Sequence, residues 1–122
     1  MEATGCGECR RCIEACPNNA ILDNRTIDTR RCISCRTIER EAEGEQVSLD
    51  GWIFGCDACQ SVCPYNKRAA LHTNPLLDPL FDPTALGAKE WHAMTEEEFE
   101  AMAGTTPLTR AGLDRIKRNI RE

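Results

Sequence analysis

Nine cysteines lie in the first 66 of 122 residues, and their spacing constrains the fold more than any other feature. Two segments, CRRCIEACPNN (9–19) and CDACQSVCPYN (56–66), share the pattern C-x2-C-x3-C-P and a final Asn. An internal repeat of this kind predicts a module with approximate twofold symmetry. Since residues 67–122 contain no cysteine, we divide the chain into a cysteine-bearing module (1–66) and an extension (67–122).

The cysteine count and the composition favour bound metal over disulfides. The count is odd, and the start of the chain has neither the basic segment nor the apolar stretch of a secretory signal. No apolar run is long enough to span a membrane. Disulfides form in oxidising compartments, so we expect a cytoplasmic protein whose thiolates bind metal. With 5% aromatic residues the core is thin, and metal centres would stabilise it.

Residues 6–17 read C-x2-C-x2-C-x3-C-P, the bacterial ferredoxin run in which the fourth Cys ligates the other cluster of a pair. We therefore predict two [4Fe–4S] clusters that exchange ligands between the two motifs. The predicted ligands of one cluster, the first cysteine set, are Cys6, Cys9, Cys12 and Cys63. The predicted ligands of the other, the second cysteine set, are Cys16, Cys32, Cys56 and Cys59.

A zinc site is the alternative. Cys32-x2-Cys35-x20-Cys56-x2-Cys59 matches the spacing of a zinc ribbon and uses Cys35, which the two-cluster scheme leaves as a small buried residue. The zinc interpretation gives Cys63 no role and leaves the first motif without its external ligand. Both interpretations remain open from spacing alone.

The rest of the pattern predicts an α+β fold, with a ferredoxin-like two-cluster module followed by a helical C-terminal extension. The module would contain one small hairpin, pairing 20–22 with 26–28, a short helix over 30–40 and a loop over 41–50.

In the extension we expect helices over 84–92 and 96–102, the second begun by a capping box of Thr95 and Glu98 and ended by Gly104. A last helix would follow Thr106-Pro107. The apolar residues at helical spacing in this last helix are Leu113, Ile116 and Ile120.

Four segments resemble the iron–sulfur part of epoxyqueuosine reductases. They are CGECRRCIEACPNNAI (6–21), RRCISCRTIE (30–39), GWIFGCDACQSVCPYN (51–66) and TPLTRAGLDRIKRNI (106–120). The resemblance implies a two-cluster module that passes electrons to cobalamin, which drives reduction of epoxyqueuosine to queuosine in tRNA. The family's ligand pattern carries over to the same eight cysteines. The cobalamin-binding catalytic domain of that family is not among these residues, so we expect the chain alone not to complete the reaction.

The resemblance also implies contacts beyond the clusters. Ser34 and Asp57 are the positions expected beside cobalamin, and a reductase or flavodoxin is the expected electron donor. A locally basic tail follows an acidic stretch, and we expect it either to contact tRNA phosphates or to form a solvated face. Its residues are Arg110, Arg115, Lys117, Arg118 and Arg121.

Two other functions fit parts of the pattern. A stand-alone two-cluster ferredoxin would have the same cysteine runs, but it does not need a cysteine-free extension with a basic end. The iron–sulfur part of a reductive dehalogenase also pairs cobalamin with two clusters. The segments RRCIS (30–34) and GWIFGCD (51–57) favour the epoxyqueuosine reductase interpretation.

Overall fold

The structure is a computed structural model that describes residues 5–39 and 47–120. We refer to residues 5–39 and 47–66 as the cysteine region and to 81–120 as the helical region. The α-helices of the described residues are α1 (Arg11–Ala15), α2 (Ile33–Ile38), α3 (Ala58–Ser61), α4 (Pro64–Lys67), α5 (Ala88–Ala93), α6 (Glu96–Ala103), α7 (Leu108–Ala111) and α8 (Leu113–Asn119). Two 3-10 helices span Pro75–Leu77 and Pro83–Ala85.

The predicted α+β class is not confirmed, because the described residues contain no β-strand. The expected hairpin is reduced to one antiparallel bridge between Ile21 and Ile27. The turn between them is present, with Arg25 at φ 63°. The backbone N–H of Thr26 donates to the Asn24 side chain (3.0 Å), a local bond that competes with strand pairing. Turns follow on either side, closed by Asn19 N–H to Cys16 O (3.2 Å) and by Arg31 N–H to Asp28 O (3.0 Å), so the pairing does not extend.

Several helix boundaries differ from the prediction. The helix expected over 30–40 begins only at Ile33, because Arg30 N–H and the Arg30 side chain both bond to Asp28 in a turn before it. Residues 40–46 lie outside the described part of the chain, and with them most of the predicted loop. The helix expected over 84–92 is divided into the 3-10 helix Pro83–Ala85 and α5. The extended residues Leu86 and Gly87 separate the two pieces.

The apolar core lies in the helical region. The capping box of α6 is present, with Glu98 N–H donating to Thr95 Oγ1 (3.2 Å) and Thr95 N–H donating to Glu98 Oε2 (2.8 Å). This cap fixes the start of α6 and directs Phe99 inward. Gly112, at φ 81°, separates α7 from α8. The buried core consists of Trp91, Met94, Phe99, Ala103, Leu113, Ile116 and Ile120.

Helices α7 and α8 pack on α2, which joins the helical region to the cysteine region. Asn119 Nδ2 donates to the carbonyl oxygens of Thr37 (3.3 Å) and Ile53 (2.9 Å). Arg115 Nη1 donates to Ile38 O (2.9 Å). The last carbonyls of a helix have no partner within that helix, so these side chains act as a C-terminal cap for α2.

The segment between the two regions carries exposed leucines. Leu71 is 92% exposed and Leu76 is 88% exposed, and Leu77 and Leu80 also lie on the surface. Two 3-10 helices that start at prolines hold this segment in short turns. None of the helices in the described residues has the length and apolar character needed to cross a membrane.

Candidate metal centre

The two cysteine motifs share their backbone geometry. Each forms a one-turn helix, α1 or α3, and the two helices pack against each other. Arg10 (φ −122°, ψ 10°) and Asp57 (φ −109°, ψ 12°) precede these helices with matching dihedral angles. Cys16 (φ −70°, ψ 117°) and Cys63 (φ −68°, ψ 124°) match after them, in the extended form that a following proline favours. The sequence repeat is therefore also a structural repeat.

The first cysteine set lines one cavity of about 120 Å³. Cys6, Cys9 and Cys12 come from the first motif, and Cys63 comes from the second. Tyr65 also lines it, and its hydroxyl donates to Gly5 O (2.6 Å). Since thiolates are the ligands of iron–sulfur clusters, a cavity with four cysteines in its wall fits such a group.

The second cysteine set meets around Cys59. Burial raises the pKa of the Cys59 thiol above its ordinary value, and the neighbouring thiols Cys56, Cys16 and Cys32 raise it further. Like charges disfavour one another at short range, so these thiols are close in space although three separate segments supply them. Ala20 N–H also donates to Cys16 Sγ (3.2 Å). A metal cluster with positive charge would remove the repulsion between the four thiolates.

Cys32 is presented by the start of α2, and that helix is held by a buried hydroxyl. Thr37 is fully buried, and its Oγ1 donates to Ile33 O (2.9 Å). The same oxygen accepts the backbone N–H of Gly55 (2.9 Å), the residue before Cys56. One hydroxyl therefore fixes α2 against the entry to the second motif. Sequence reasoning did not identify Thr37, because a threonine inside a short helix carries no distinctive signal.

The zinc alternative gains no support from the geometry. Cys35 is half-buried within α2 and lies neither in the cavity of the first set nor among the thiols that act on Cys59. Within residues 5–39 and 47–120, no three Cys, His, Asp or Glu side chains converge as a single metal ion requires. A zinc ion needs four donors at about 2.0–2.3 Å from one point. In a [4Fe–4S] cluster each thiolate binds a different iron, so the sulfurs lie farther apart.

The residues predicted beside cobalamin lie on two segments of the cysteine region. Ser34 is partly buried in the first turn of α2, two positions after Cys32. Asp57 is exposed directly after Cys56, and its carboxylate accepts a bond from Gln60 Nε2 (3.2 Å). Both therefore adjoin cysteines of the second set in the chain.

The basic tail has structural partners that the sequence did not indicate. The Arg110 guanidinium forms an ion pair with Glu39, with 2.6 Å between Nε and Oε1. Lys117 Nζ donates to Met94 O (2.7 Å), the residue that ends α5. Arg115 caps α2, as described above, and Arg118 is exposed on α8. Arg121 lies outside the described residues. The basic tail therefore has a structural role within the protein, which neither expectation, tRNA contact or a solvated face, had included.

Comparison with known proteins identifies a matching family model and curated relatives. Residues 5–66 match the family model described as a 4Fe-4S double cluster binding domain. An epoxyqueuosine reductase of Cellulophaga algicola is 39% identical over 118 residues, which cover 94% of this chain and 39% of that protein. The epoxyqueuosine reductase of Escherichia coli is 38% identical over 119 residues, which cover 95% of this chain and 31% of that protein. The chain thus spans less than half the length of these curated relatives.

Solved structures of epoxyqueuosine reductases also match this chain. The structure of epoxyqueuosine reductase from Bacillus subtilis is 30% identical, with a TM-score of 0.76, and the match covers 93% of this chain and 31% of that one. A crystal structure of epoxyqueuosine reductase with an epoxyqueuosine-modified tRNA-Tyr stem loop matches with the same score, identity and coverage. The chain therefore belongs to the family of 4Fe-4S double cluster binding domains, and it resembles the iron–sulfur part of epoxyqueuosine reductases.

Proposed function

We propose that this chain is the electron-relay part of an epoxyqueuosine reductase, which passes electrons through two [4Fe–4S] clusters towards cobalamin and so to epoxyqueuosine in tRNA. The observation that carries the proposal is the similarity to epoxyqueuosine reductases along 94% of this chain. That similarity extends beyond the cluster-binding residues, through the helical region. A simple electron carrier would give no reason for the match there.

The eight cysteines of the two sets are the proposed cluster ligands. The cavity lined by Cys6, Cys9, Cys12 and Cys63 supports the first set. The raised pKa of Cys59, caused by burial and then by Cys56, Cys16 and Cys32, supports the second. When bound, such clusters supply one-electron transfer at potentials that their surroundings set.

The exchange of one cysteine between motifs explains how the two sets act together. Cys16 follows α1 but lies with the second set, whereas Cys63 follows α3 but lies with the first. Each motif therefore contributes to both sites, and the packing of α1 on α3 keeps the sites adjacent. Short separation favours electron transfer between them. The half-buried cysteines also limit the access of water to the sulfurs.

Cobalamin and tRNA contacts belong to the same proposal. Ser34 and Asp57 adjoin cysteines of the second set, which supports a path from that set to cobalamin. For tRNA we propose contact through Arg110, Arg115, Lys117 and Arg118. Arg118 is exposed on α8 and is the position chosen for the test. Reversing its charge in a full-length relative carrying this segment would weaken tRNA binding in a salt-dependent way.

A chimeric enzyme tests the function directly. This chain would replace the corresponding third of the Escherichia coli epoxyqueuosine reductase, and conversion of epoxyqueuosine to queuosine in tRNA would be measured by mass spectrometry of nucleosides. We expect the chimera to be active and its Cys63→Ala variant to lose activity, while Cys35→Ala retains it. A folded chimera with eight irons and no conversion would contradict the proposal.

A further inference from the structure

The cavity of the first cysteine set has two arginines in its wall. Arg11 begins α1 and lies between Cys9 and Cys12 in the motif, and Arg68 directly follows α4. Both are exposed. No Asp or Glu is present among the described residues that line this cavity. Access to the first set therefore passes two positive charges, on a chain whose formal net charge is −5.

Two more cations adjoin residues of this cavity wall, Lys67 by its place in the chain and Arg25 through hydrogen bonds. Lys67 is exposed at the end of α4. Arg25 Nη2 donates to Gly7 O (2.6 Å) and Cys9 O (3.1 Å), which holds its guanidinium against the loop of the first motif. We call these four residues, Arg11, Arg25, Lys67 and Arg68, the basic rim. The same segments also carry two carboxylates, Glu8 and Glu14, so the rim keeps an excess of positive charge.

Basic residues also adjoin the second cysteine set, since Arg30 and Arg31 precede Cys32, but both pair with Asp28 (2.9 and 3.9 Å). The first motif has Arg10-Arg11 between its second and third cysteines, whereas the repeat has Asp57-Ala58 at the equivalent positions. Arg10 is paired with Asp23 (2.6 Å), so Arg11 provides the positive charge that the repeat lacks. Because the two motifs otherwise share their backbone geometry, this difference in charge distinguishes the two sites. An acidic partner would therefore be attracted more strongly to the first motif than to the second.

We propose that the basic rim is the docking surface for the electron donor, a small protein with an acidic face around a one-electron cofactor. This inference rests on the proposed electron-relay function and adds where electrons enter. The donor's cofactor is oxidised by one electron and the cluster of the first set is reduced by one, with no bond formed and no proton moved. Electrons then leave from the second set, beside Ser34 and Asp57.

Electrostatic attraction sets the size of the effect expected on the association rate of the donor. Complementary charge raises the association rate constant of two proteins by about 10- to 1,000-fold, and the gain falls steeply as ionic strength rises. Nucleic acid phosphates would also be attracted to four cations. A redox protein fits better, because Arg11 and Arg68 lie in the same cavity wall as the four cysteines at which an electron would be transferred. Binding of tRNA would need no such placement.

The test uses the cluster-loaded chain and reduced flavodoxin as the probe, with the rate of cluster bleaching followed by anaerobic stopped-flow. The charge-reversed variant is Arg11→Glu with Arg68→Glu. We expect its second-order rate constant to fall about 10- to 100-fold at low salt and to approach that of the parent chain at high salt. Lys89→Glu, at an exposed position on α5 outside this cavity wall, is the control for a single charge reversal and is expected to change the rate less than twofold.

A small reductant separates docking from an effect on the cluster itself. Reduction by the methyl viologen radical cation is expected to be no slower in the charge-reversed variant. The midpoint potential from a titration followed by electron paramagnetic resonance would report any change in the cluster. If the double variant does not assemble its clusters, Lys67→Glu, outside the cavity wall, replaces it, and a several-fold slower reaction with flavodoxin is expected.

Three results would overturn the docking proposal. The first is an unchanged flavodoxin rate in the reversed variants, and the second is equal slowing with methyl viologen. The third is a loss of affinity for a tRNA stem loop with no change in the flavodoxin rate, which would assign the rim to RNA. Failure of the proposed function is distinguishable, since it would appear as a chimera with eight irons that does not convert epoxyqueuosine, whatever the rate with flavodoxin.

Discussion

The cysteine region and the helical region are held together by different means. The helical region contains a core of seven buried apolar residues, among them Phe99 at 3% and Ile116 at 1% exposure. In the described part of the cysteine region only Ala20, Ile33 and Thr37 are buried, and all nine cysteines are half-buried. The first kind of interior forms by burial of apolar surface. The interior of the cysteine region contains cysteine sulfurs instead, so the stability of this region depends on what the sulfurs bind.

Removal of the clusters is expected to have the largest effect, and to affect one region only. Chelation of iron under reducing conditions would leave thiolates without a partner in a region with little apolar core, so this region would unfold. The helical region would keep its own core. Hydrogen exchange measured by mass spectrometry is expected to show loss of protection in α1 and α3 and retained protection in α6 and α8. Equal loss of protection in both regions, or no loss in either, would contradict the proposed difference between the two regions.

The converse change disrupts the helical core. Phe99→Ala removes a buried aromatic side chain, and we expect a loss of about 3–5 kcal/mol in the free energy of unfolding. The iron content of the folded protein is expected to stay the same. Leu76→Ala, at an 88% exposed position, is the control and is expected to change stability by less than about 0.5 kcal/mol.

Urea unfolding and iron content, measured on the same samples, check this prediction. If Phe99→Ala also lowers the iron content, the two regions form one cooperative unit and the proposed contrast does not hold.

A smaller effect is expected at Thr37, the buried hydroxyl of the cysteine region. Thr37→Val keeps the shape but leaves the Gly55 N–H without its acceptor, a cost of about 1–3 kcal/mol. Iron release to a chelator is expected to become faster, because Gly55 precedes Cys56. Thr37→Ser retains the hydroxyl and serves as the control. Equal release rates in the two variants would contradict this prediction. They would show that the packing of α2, and not the hydrogen bond to Gly55, controls iron release.

The smallest effect concerns pH. The side chain of Arg30 donates to Asp28 and lowers the pKa of that carboxyl from 3.8 to about 2. Because the pKa in the folded state is the lower one, the stabilisation is complete above pH about 4 and is lost as pH falls through about 2. In Arg30→Ala the pKa of the Asp28 carboxyl is expected to rise but to stay below 3.8, because the backbone N–H of residue 30 and Arg31 still lower it, so the carboxyl is more protonated than in the parent protein at the same pH. Carbon-detected NMR distinguishes these states, and identical titrations would contradict the pairing.

Cysteine spacing and short-range signals carry more information in the sequence than the fold class does. Cysteine spacing is determined by the covalent demands of a cluster, so the first set could be grouped from sequence although Cys63 lies 51 positions beyond Cys12. Short-range signals also predicted well, as at the Thr95 and Glu98 capping box. The hairpin was not confirmed, since the local bonds at Asn24 and the turns at 16–19 and 28–31 leave room for one bridge. The internal bonds of Arg115 and Lys117 could not be predicted, because they depend on which helix ends meet in space.

Iron, sulfide and zinc content of anaerobically purified protein tests the central claim most directly, with Cys63→Ala and Cys35→Ala measured alongside the parent chain. We expect about eight iron and eight sulfide per chain, as two [4Fe–4S] clusters require, and no stoichiometric zinc. Cys63→Ala is expected to lose about half of the iron, and Cys35→Ala to keep all of it. About one zinc per chain, with iron for one cluster or none and no effect of Cys63→Ala, would contradict the two-cluster account.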